Sequence, residues 1–279
     1  MSGHRHRFGN VGKVERRGTQ MAQGDTRRMA EGGTRTVQSG ARRALRFTLL
    51  GSLGLALVLG LFGTFPPASS SRVFAAPTFN ISWPYKADLL GAEQVVVVET
   101  KSERAQTGLL SLREKRTDGS WAAVLSGIPV TLGKNGIGKT REGDGRTPSG
   151  VYPLGGAFGT AGEPAGLKLA YARTTKQDYW IDDPASDDYN RRVTYAGDPD
   201  RRWRSYERLY QPLYKYAIVV RYNDEPVVSG KGSAIFLHLW RGPDKPTAGC
   251  IAMSEPNLLK LLAALDPARS PAIAIGVAG

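Results

Sequence analysis

The stretch AIFLHLWRGPDKPTAGCI at residues 234–251 joins an apolar strand pattern to the single cysteine of the chain. The apolar run leads to His238, and Cys250 follows after a loop that contains two prolines. This loop, at residues 241–246, can reverse the chain and bring the two side chains together. Gly249 allows the backbone beside the cysteine to approach another group closely. The pattern predicts that a thiol and an imidazole meet at the end of a strand.

A thiol beside an imidazole favours nucleophilic catalysis, because the thiolate is the reactive form of cysteine and a nearby base can generate it. The other two histidines, His4 and His6, lie near the N-terminus. One cysteine cannot form an intramolecular disulfide, and with one histidine it cannot complete a tetrahedral zinc site without several carboxylates. We expect no metal and no cofactor. A reactive thiol, an intermolecular disulfide and an inert buried cysteine remain open on these residues alone.

A second block, KTREGDGRTPSGVY at residues 139–152, lies upstream of the first. Together with FLH at residues 236–238 and TAGC at residues 247–250, it resembles the L,D-transpeptidases with the YkuD-type catalytic domain. In that family the blocks read K-x-x-E-G-D-x-x-T-P-x-G-x-F/Y and S/T-H-G-C. The resemblance covers residues 91–279 and implies a mainly β fold, a YkuD-like β-sandwich or mixed-sheet domain with one clear α-helix after the catalytic cysteine.

Two residues depart from the family pattern. The histidine that usually precedes Gly-Cys is Ala248 here, and the arginine two residues after the cysteine is Ala252. The changes resemble a divergent branch with H-L-x-R and T-A-G-C in place of S-H-G-C. We expect Arg241 and Thr247 to contact the substrate, with Arg241 taking over the contact of the missing arginine with a carboxylate.

The resemblance implies a role for each residue of the first block. Cys250 is the expected nucleophile and His238 the general base and acid. The backbone carbonyl of Leu239 is expected to orient the imidazole, and backbone N–H groups around Gly249 and Cys250 to form an oxyanion hole. The implied substrates are peptidoglycan stem peptides, cleaved between a diamino acid such as meso-diaminopimelate and a terminal D-Ala. The implied inhibitors are β-lactams of the carbapenem class.

Three functions follow from this resemblance. In a peptidoglycan L,D-transpeptidase, the acyl group passes to an amine, for cell-wall cross-linking or remodelling. In an L,D-carboxypeptidase or cysteine peptidase, water is the acceptor. In a non-catalytic wall-binding module, the fold remains but the thiol is unreactive. The sequence favours the transpeptidase and does not identify the acceptor.

Residues 133–140, GKNGIGKT, match the nucleotide-binding pattern G-x-x-x-x-G-K-[ST]. That motif requires the lysine to lie at the start of a helix whose N-terminal amides hold a phosphate. The next ten residues, REGDGRTPSG, contain three glycines and a proline, which cannot sustain such a helix. We predict a loop between strands instead.

Short β-branched runs separated by glycine-rich turns predict a mainly β domain from residue 91 onward. The stretch at residues 176–210 predicts a long irregular excursion, either a lid or binding loop or a solvated surface insertion. A leucine stripe at helical spacing predicts one helix between Ser254 and Asp266. The expected strands lie at residues 95–100, 109–113, 122–125, 128–132, 151–154, 217–222, 234–239 and 272–277.

The N-terminal part carries a signal for export. A basic, glycine-rich tail at residues 1–46 is expected to be disordered, and it leads into an apolar run at residues 47–65 and a Pro/Ser linker at residues 66–90. The run is either removed as a signal peptide by cleavage near Ala75 or kept as a membrane tether. Either outcome places residues 91–279 outside the cytoplasm, in the periplasm or cell wall.

The net charge of +13 is concentrated in this N-terminal part. Residues 1–76 carry 12 Lys and Arg against 3 Asp and Glu, and the remaining residues carry 26 against 22. The exported part therefore has a mixed surface, and it has no basic stripe interleaved with aromatic residues. We expect no nucleic-acid partner.

Overall fold

The computed structural model describes residues 83–279. The predicted tail at residues 1–46, the predicted apolar segment at residues 47–65 and most of the predicted linker lie outside that range. No helix between residues 83 and 279 has the length and apolar character that crossing a membrane would require.

The described residues form a mainly β domain, as the sequence predicts. Its α-helices are α1 (Trp83–Leu89) and α2 (Glu255–Ala264). Its strands are β1 (Gln94–Thr100), β2 (Thr107–Lys115), β3 (Trp121–Thr131), β4 (Gly150–Gly159), β5 (Tyr171–Arg173), β6 (Asp178–Ile181), β7 (Arg192–Thr194), β8 (Tyr206–Arg208), β9 (Ala217–Val220), β10 (Phe236–Leu239), β11 (Ile251–Met253) and β12 (Ala272–Val277).

Nine of these strands form one mixed sheet in the order β12-β1-β2-β3-β11-β10-β9-β4-β5. An additional pairing between β12 and β4 closes eight of them into a ring. Strand β4 closes the ring because residues 150–153 pair with β12 and residues from Leu154 onward pair with β9. The pairing with β9 contains a register shift between Leu154 and Ala157. The mixed sheet that the resemblance implies is therefore confirmed.

The two strands predicted at residues 122–125 and 128–132 form one strand, β3. Its partner β2 places Leu110 opposite Ile128 and Leu112 opposite Leu125, so β3 carries one extra residue. Gly127 lies in this bulge with a φ of +68°, a conformation that favours glycine. The bulge interrupts the apolar alternation, which explains why the sequence reads as two strands.

Helix α2 covers one face of the sheet beside β10 and β11. Leu258, Leu261, Leu262 and Leu265 are fully buried there, which confirms the predicted stripe. Ser254 occupies the N-cap position, but its side chain makes no capping hydrogen bond. Burial of the leucine face therefore holds the helix in place.

The end of the predicted linker belongs to the domain. Residues 83–89 form α1, and Trp83 and Ala87 are buried one helical turn apart against β1 and β12. Trp83 also packs edge-on against Trp121, with ring centroids 5.1 Å apart. The linker predicted at residues 66–90 from its Pro/Ser composition therefore extends too far, because its last residues form a helix that packs on the domain.

The irregular excursion predicted at residues 176–210 contains a second, three-stranded sheet in the order β7-β6-β8. Tyr179, Ile181 and Trp203 are buried in its own aromatic cluster. Buried Asp178 accepts four hydrogen bonds from side chains and backbone around it. The expectation of irregular structure was wrong, because strands of three or four residues are too short to show an alternating pattern.

Replacing Trp83 with Ala tests whether α1 is part of the domain. Trp83 is 7% exposed, and we expect this substitution to reduce the free energy of unfolding by about 3 kcal/mol. Leu89 lies on the same helix but is 70% exposed, so Leu89→Ala is the control and should change stability little. Urea denaturation followed by circular dichroism compares the two variants. Equal effects would show that α1 does not stabilise the domain.

Candidate active site

Parallel pairing of β10 with β11 places the histidine and the cysteine on one face of the sheet. In this register Leu237 lies opposite Ile251, and His238 lies opposite Ala252. Side chains alternate between the faces of a strand, so Leu237 and Ile251 join the core that α2 covers. His238 and Cys250 point to the other face, where Cys250 packs in a separate, largely aromatic cluster.

Cys250 is a buried thiol. It is 7% exposed, and its Sγ donates a hydrogen bond to the carbonyl oxygen of Ala234 at 3.2 Å. Burial raises the pKa of the thiol well above its usual range, and the carboxylate of Glu207 raises that pKa further. The backbone N–H of Phe236 and the charge of Lys139 act in the opposite direction but do not reverse the shift. Cys250 is therefore protonated in the resting protein.

His238 is a buried, neutral imidazole. It is 6% exposed, and burial lowers its pKa to about 4, although the bond to Leu239 opposes this shift. The Nδ1 of His238 lies 2.8 Å from the backbone oxygen of Leu239. A carbonyl only accepts, so Nδ1 carries the proton and Nε2 keeps its lone pair. The geometry is the one expected from the sequence for an imidazole that accepts a proton at Nε2.

The thiol and the imidazole line one cavity of about 210 Å³. Arg241, Thr247, Ala248 and Ala252 also line it, so four positions singled out in the sequence come together there. No group of three or more His, Cys, Asp or Glu side chains that could hold a metal ion occurs within residues 83–279. The remaining lining residues are Glu207, Leu213, Tyr214, Trp240, Lys245 and Pro246.

Glu207 and Tyr214 are site residues that the sequence analysis missed. The ring of Tyr214 packs edge-on against the ring of His238, with centroids 5.2 Å apart. Its hydroxyl donates a short hydrogen bond to Oε2 of Glu207. Glu207 lies on β8, inside the excursion predicted at residues 176–210. The unusual length of this excursion was the one sequence feature that pointed to residues of the site there.

The hydroxyl of Thr247 holds the loop that carries the cysteine. It donates to the carbonyl oxygen of Cys250 at 2.7 Å and accepts from the N–H of Gly249 at 3.1 Å. The hydroxyl keeps a second lone pair and Thr247 lines the cavity, so its expected contact with the substrate stays a prediction. The N–H of Gly249 has an acceptor in this structure, and the oxyanion hole expected around Gly249 and Cys250 stays a prediction.

The two sequence blocks of the family pattern meet beneath the cysteine. A Cβ added to Gly249 would lie 2.9 Å from the backbone oxygen of Arg146, so only glycine allows this approach. Buried Thr147 accepts from the N–H of Gly133 at 2.9 Å, and its Oγ1 lies 3.5 Å from the carbonyl oxygen of Cys250. The second block therefore supports the backbone around the thiol.

The lysine of the nucleotide-binding pattern serves the same loop. Lys139 Nζ lies 3.0 Å from the carboxylate of Asp144, and both side chains are buried. Backbone N–H groups of Thr140, Arg141 and Arg146 also donate to that carboxylate. Burial alone would raise the pKa of Asp144, but these bonds outweigh it and lower the pKa to about 2. No helix follows Lys139, as predicted, and its charge is already paired.

The positions that depart from the family pattern have different surroundings. Ala248 is exposed, whereas Ala252 is fully buried between its strand partners His238 and Thr131. Arg241 donates to the carbonyl oxygen of Pro246 at 3.0 Å. Arg241 lines the cavity from the loop after β10. The cavity thus keeps an arginine near the thiol, although the strand after the cysteine carries none.

Comparisons with known proteins identify the family of this chain. The family model of the YkuD L,D-transpeptidase catalytic domain matches residues 95–273. Among solved structures, the helical cell shape determining protein Pgp2 from Campylobacter jejuni matches with 18% identity and a TM-score of 0.36. That match covers 67% of this chain and 48% of the Campylobacter chain, so this chain spans about half the length of that protein. No curated protein matches.

The family match extends over more than half of the chain and includes both sequence blocks, the two core strands of the site and helix α2. The chain belongs to the YkuD family of L,D-transpeptidase catalytic domains.

Proposed function

We propose that this protein is a peptidoglycan L,D-transpeptidase that forms a thioester between Cys250 and a stem peptide. The observation that carries the proposal is the buried pair of a neutral thiol and a neutral imidazole that line one cavity, with Nε2 of His238 free to accept a proton. An inert structural cysteine would need neither a histidine fixed in this tautomer nor a cavity beside the sulfur.

Acylation begins from the neutral pair. Nε2 of His238 accepts the thiol proton as Sγ attacks the carbonyl carbon before the terminal D-Ala. The tetrahedral intermediate then collapses, its C–N bond breaks, and the imidazolium returns the proton to the leaving amine. The Leu239 carbonyl accepts from Nδ1 throughout and stabilises the imidazolium.

Deacylation reverses this proton route. An amine of a second stem peptide attacks the thioester carbon, the neutral imidazole accepts its proton, and the thiol is released with that proton. Water in the same position would give the carboxypeptidase product instead. Transfer is the proposed outcome because the chain belongs to the transpeptidase catalytic family.

The proposed site of action is the cell wall outside the cytoplasmic membrane. Its support is the basic and apolar signal at residues 42–65, which precedes the catalytic domain in the sequence. The apolar segment at residues 47–65 either is cleaved off or tethers the domain to the membrane, and both alternatives place the site beside peptidoglycan.

Replacing Cys250 with Ala tests the nucleophile. We expect a carbapenem to add covalently to the wild-type chain and not to Cys250→Ala, because the chain has one thiol. Turnover of a disaccharide tetrapeptide should fall on the order of a thousandfold or more. Intact-protein mass spectrometry detects the adduct, and thermal unfolding checks that the variant remains folded. An adduct on the folded Ala variant would rule out Cys250 as the nucleophile.

The protonation state of His238 gives a second test. Its pKa lies near 4, below the ordinary value of about 6.5, so the imidazole is neutral above pH 4 and gains a proton only below it. We expect the NMR signals of His238 to titrate near pH 4, and His238→Gln identifies them among the signals of three histidines. A midpoint near 6.5 would mean that burial does not hold the imidazole neutral.

A further inference from the structure

One carboxylate in the cavity lacks a cationic partner. Glu207 accepts a hydrogen bond at Oε2 from the hydroxyl of Tyr214, and no other hydrogen bond to its side chain occurs within residues 83–279. No lysine, arginine or histidine of that range forms an ion pair with it. Its Oε1 therefore remains available to a ligand in the cavity that Cys250 and His238 share.

The surroundings of Glu207 make a bare negative charge unfavourable there. Burial raises the pKa of Glu207 to about 7, and the negative charges of Asp182 and Glu142 contribute to the shift, although the bond from Tyr214 opposes it. Both neighbouring acids have their own donors: Ser205 bonds Asp182, and Glu142 accepts from the hydroxyls of Tyr189 and Ser233. Glu207 is the acid that lines the cavity.

The charge of Glu207 also opposes the proposed chemistry. A carboxylate near the sulfur raises the pKa of Cys250, which disfavours the thiolate that must attack the substrate. A cation bound to Glu207 would offset this effect and would also stabilise the carboxylate. Arg241 and Lys245 line the same cavity, but Arg241 donates to a backbone carbonyl and Lys245 pairs with Asp244.

We propose that Glu207 binds the free primary ammonium group of the donor stem peptide, on the diamino acid that precedes the terminal D-Ala. This inference rests on the proposed function, because it assigns the donor subsite of the same cavity. The ammonium donates to Oε1 of Glu207 while the Tyr214 hydroxyl holds Oε2. The donor is the relevant partner because it is present when the thiolate must form.

Donor binding and thiol activation are coupled in this arrangement. Without donor, the charge of the Glu207 carboxylate adds to the effect of burial and raises the pKa of Cys250 further. When the ammonium is bound, its positive charge offsets the negative charge of the carboxylate. Proton transfer from Sγ to Nε2 of His238 then becomes easier. Glu207 then selects a donor with a free amine and promotes acylation by that donor.

The test compares two donors on the full chain: a tetrapeptide stem with a free side-chain amine on its third residue, and the same peptide with that amine acetylated. The measured quantity is the ratio of their kcat/KM values for D-Ala release. The wild type should prefer the free amine by about tenfold or more. In Glu207→Gln, which keeps the shape but removes the charge, the ratio should fall to about one. Tyr214→Phe, which keeps the carboxylate, should retain the preference.

Three results would overturn the inference. The first is an equal loss for both donors in folded Glu207→Gln, which would indicate a positioning role through Tyr214 and His238. The second is an unchanged preference in that variant. The third is a change confined to the ratio of transfer to hydrolysis, which would place the amine on the acceptor. Thioester formation on Cys250 without a donor preference would contradict this inference alone, whereas no thioester would contradict the proposed function.

Discussion

The parallel pairing of β10 with β11 is the constraint on which the site depends. It sets Leu237 and Ile251 into the core beneath α2 and, by alternation, turns His238 and Cys250 to the opposite face. A shift of one residue in either strand would turn His238 or Cys250 toward the helix. Packing of the α2 leucines therefore fixes the register that brings the thiol and imidazole together.

Burial gives this site its resting state. The thiol and the imidazole are both neutral, because desolvation raises the pKa of Cys250 and lowers that of His238. The site thus differs from one with a preformed pair of thiolate and imidazolium. Glu207 adds to this resting state, since its charge raises the pKa of Cys250 beyond the effect of burial, and in our proposal the ammonium of the donor offsets that charge.

The sequence predicted the features that have a local pattern. The apolar runs predicted the main strands, the leucine spacing predicted α2, and the motif blocks predicted that Cys250 and His238 lie together and that His238 contacts the carbonyl of Leu239. The features it missed depend on contacts between distant residues. Helix α1 packs through Trp83 in one cluster with residues of β1 and β12, and the small sheet carries Glu207 to the cavity that Cys250 also lines. The bonds of Thr247 depend on the folded turn, which no residue pattern displays.

The central claim is that the sulfur of Cys250 carries the donor acyl group during turnover. Rapid acid quenching of the full chain with a stem tetrapeptide, followed by mass spectrometry, measures this directly. The account predicts a transient mass increase equal to the donor without its terminal D-Ala, on the peptide that contains Cys250. Release of D-Ala with no adduct at any time, or an adduct on a different residue, would contradict it.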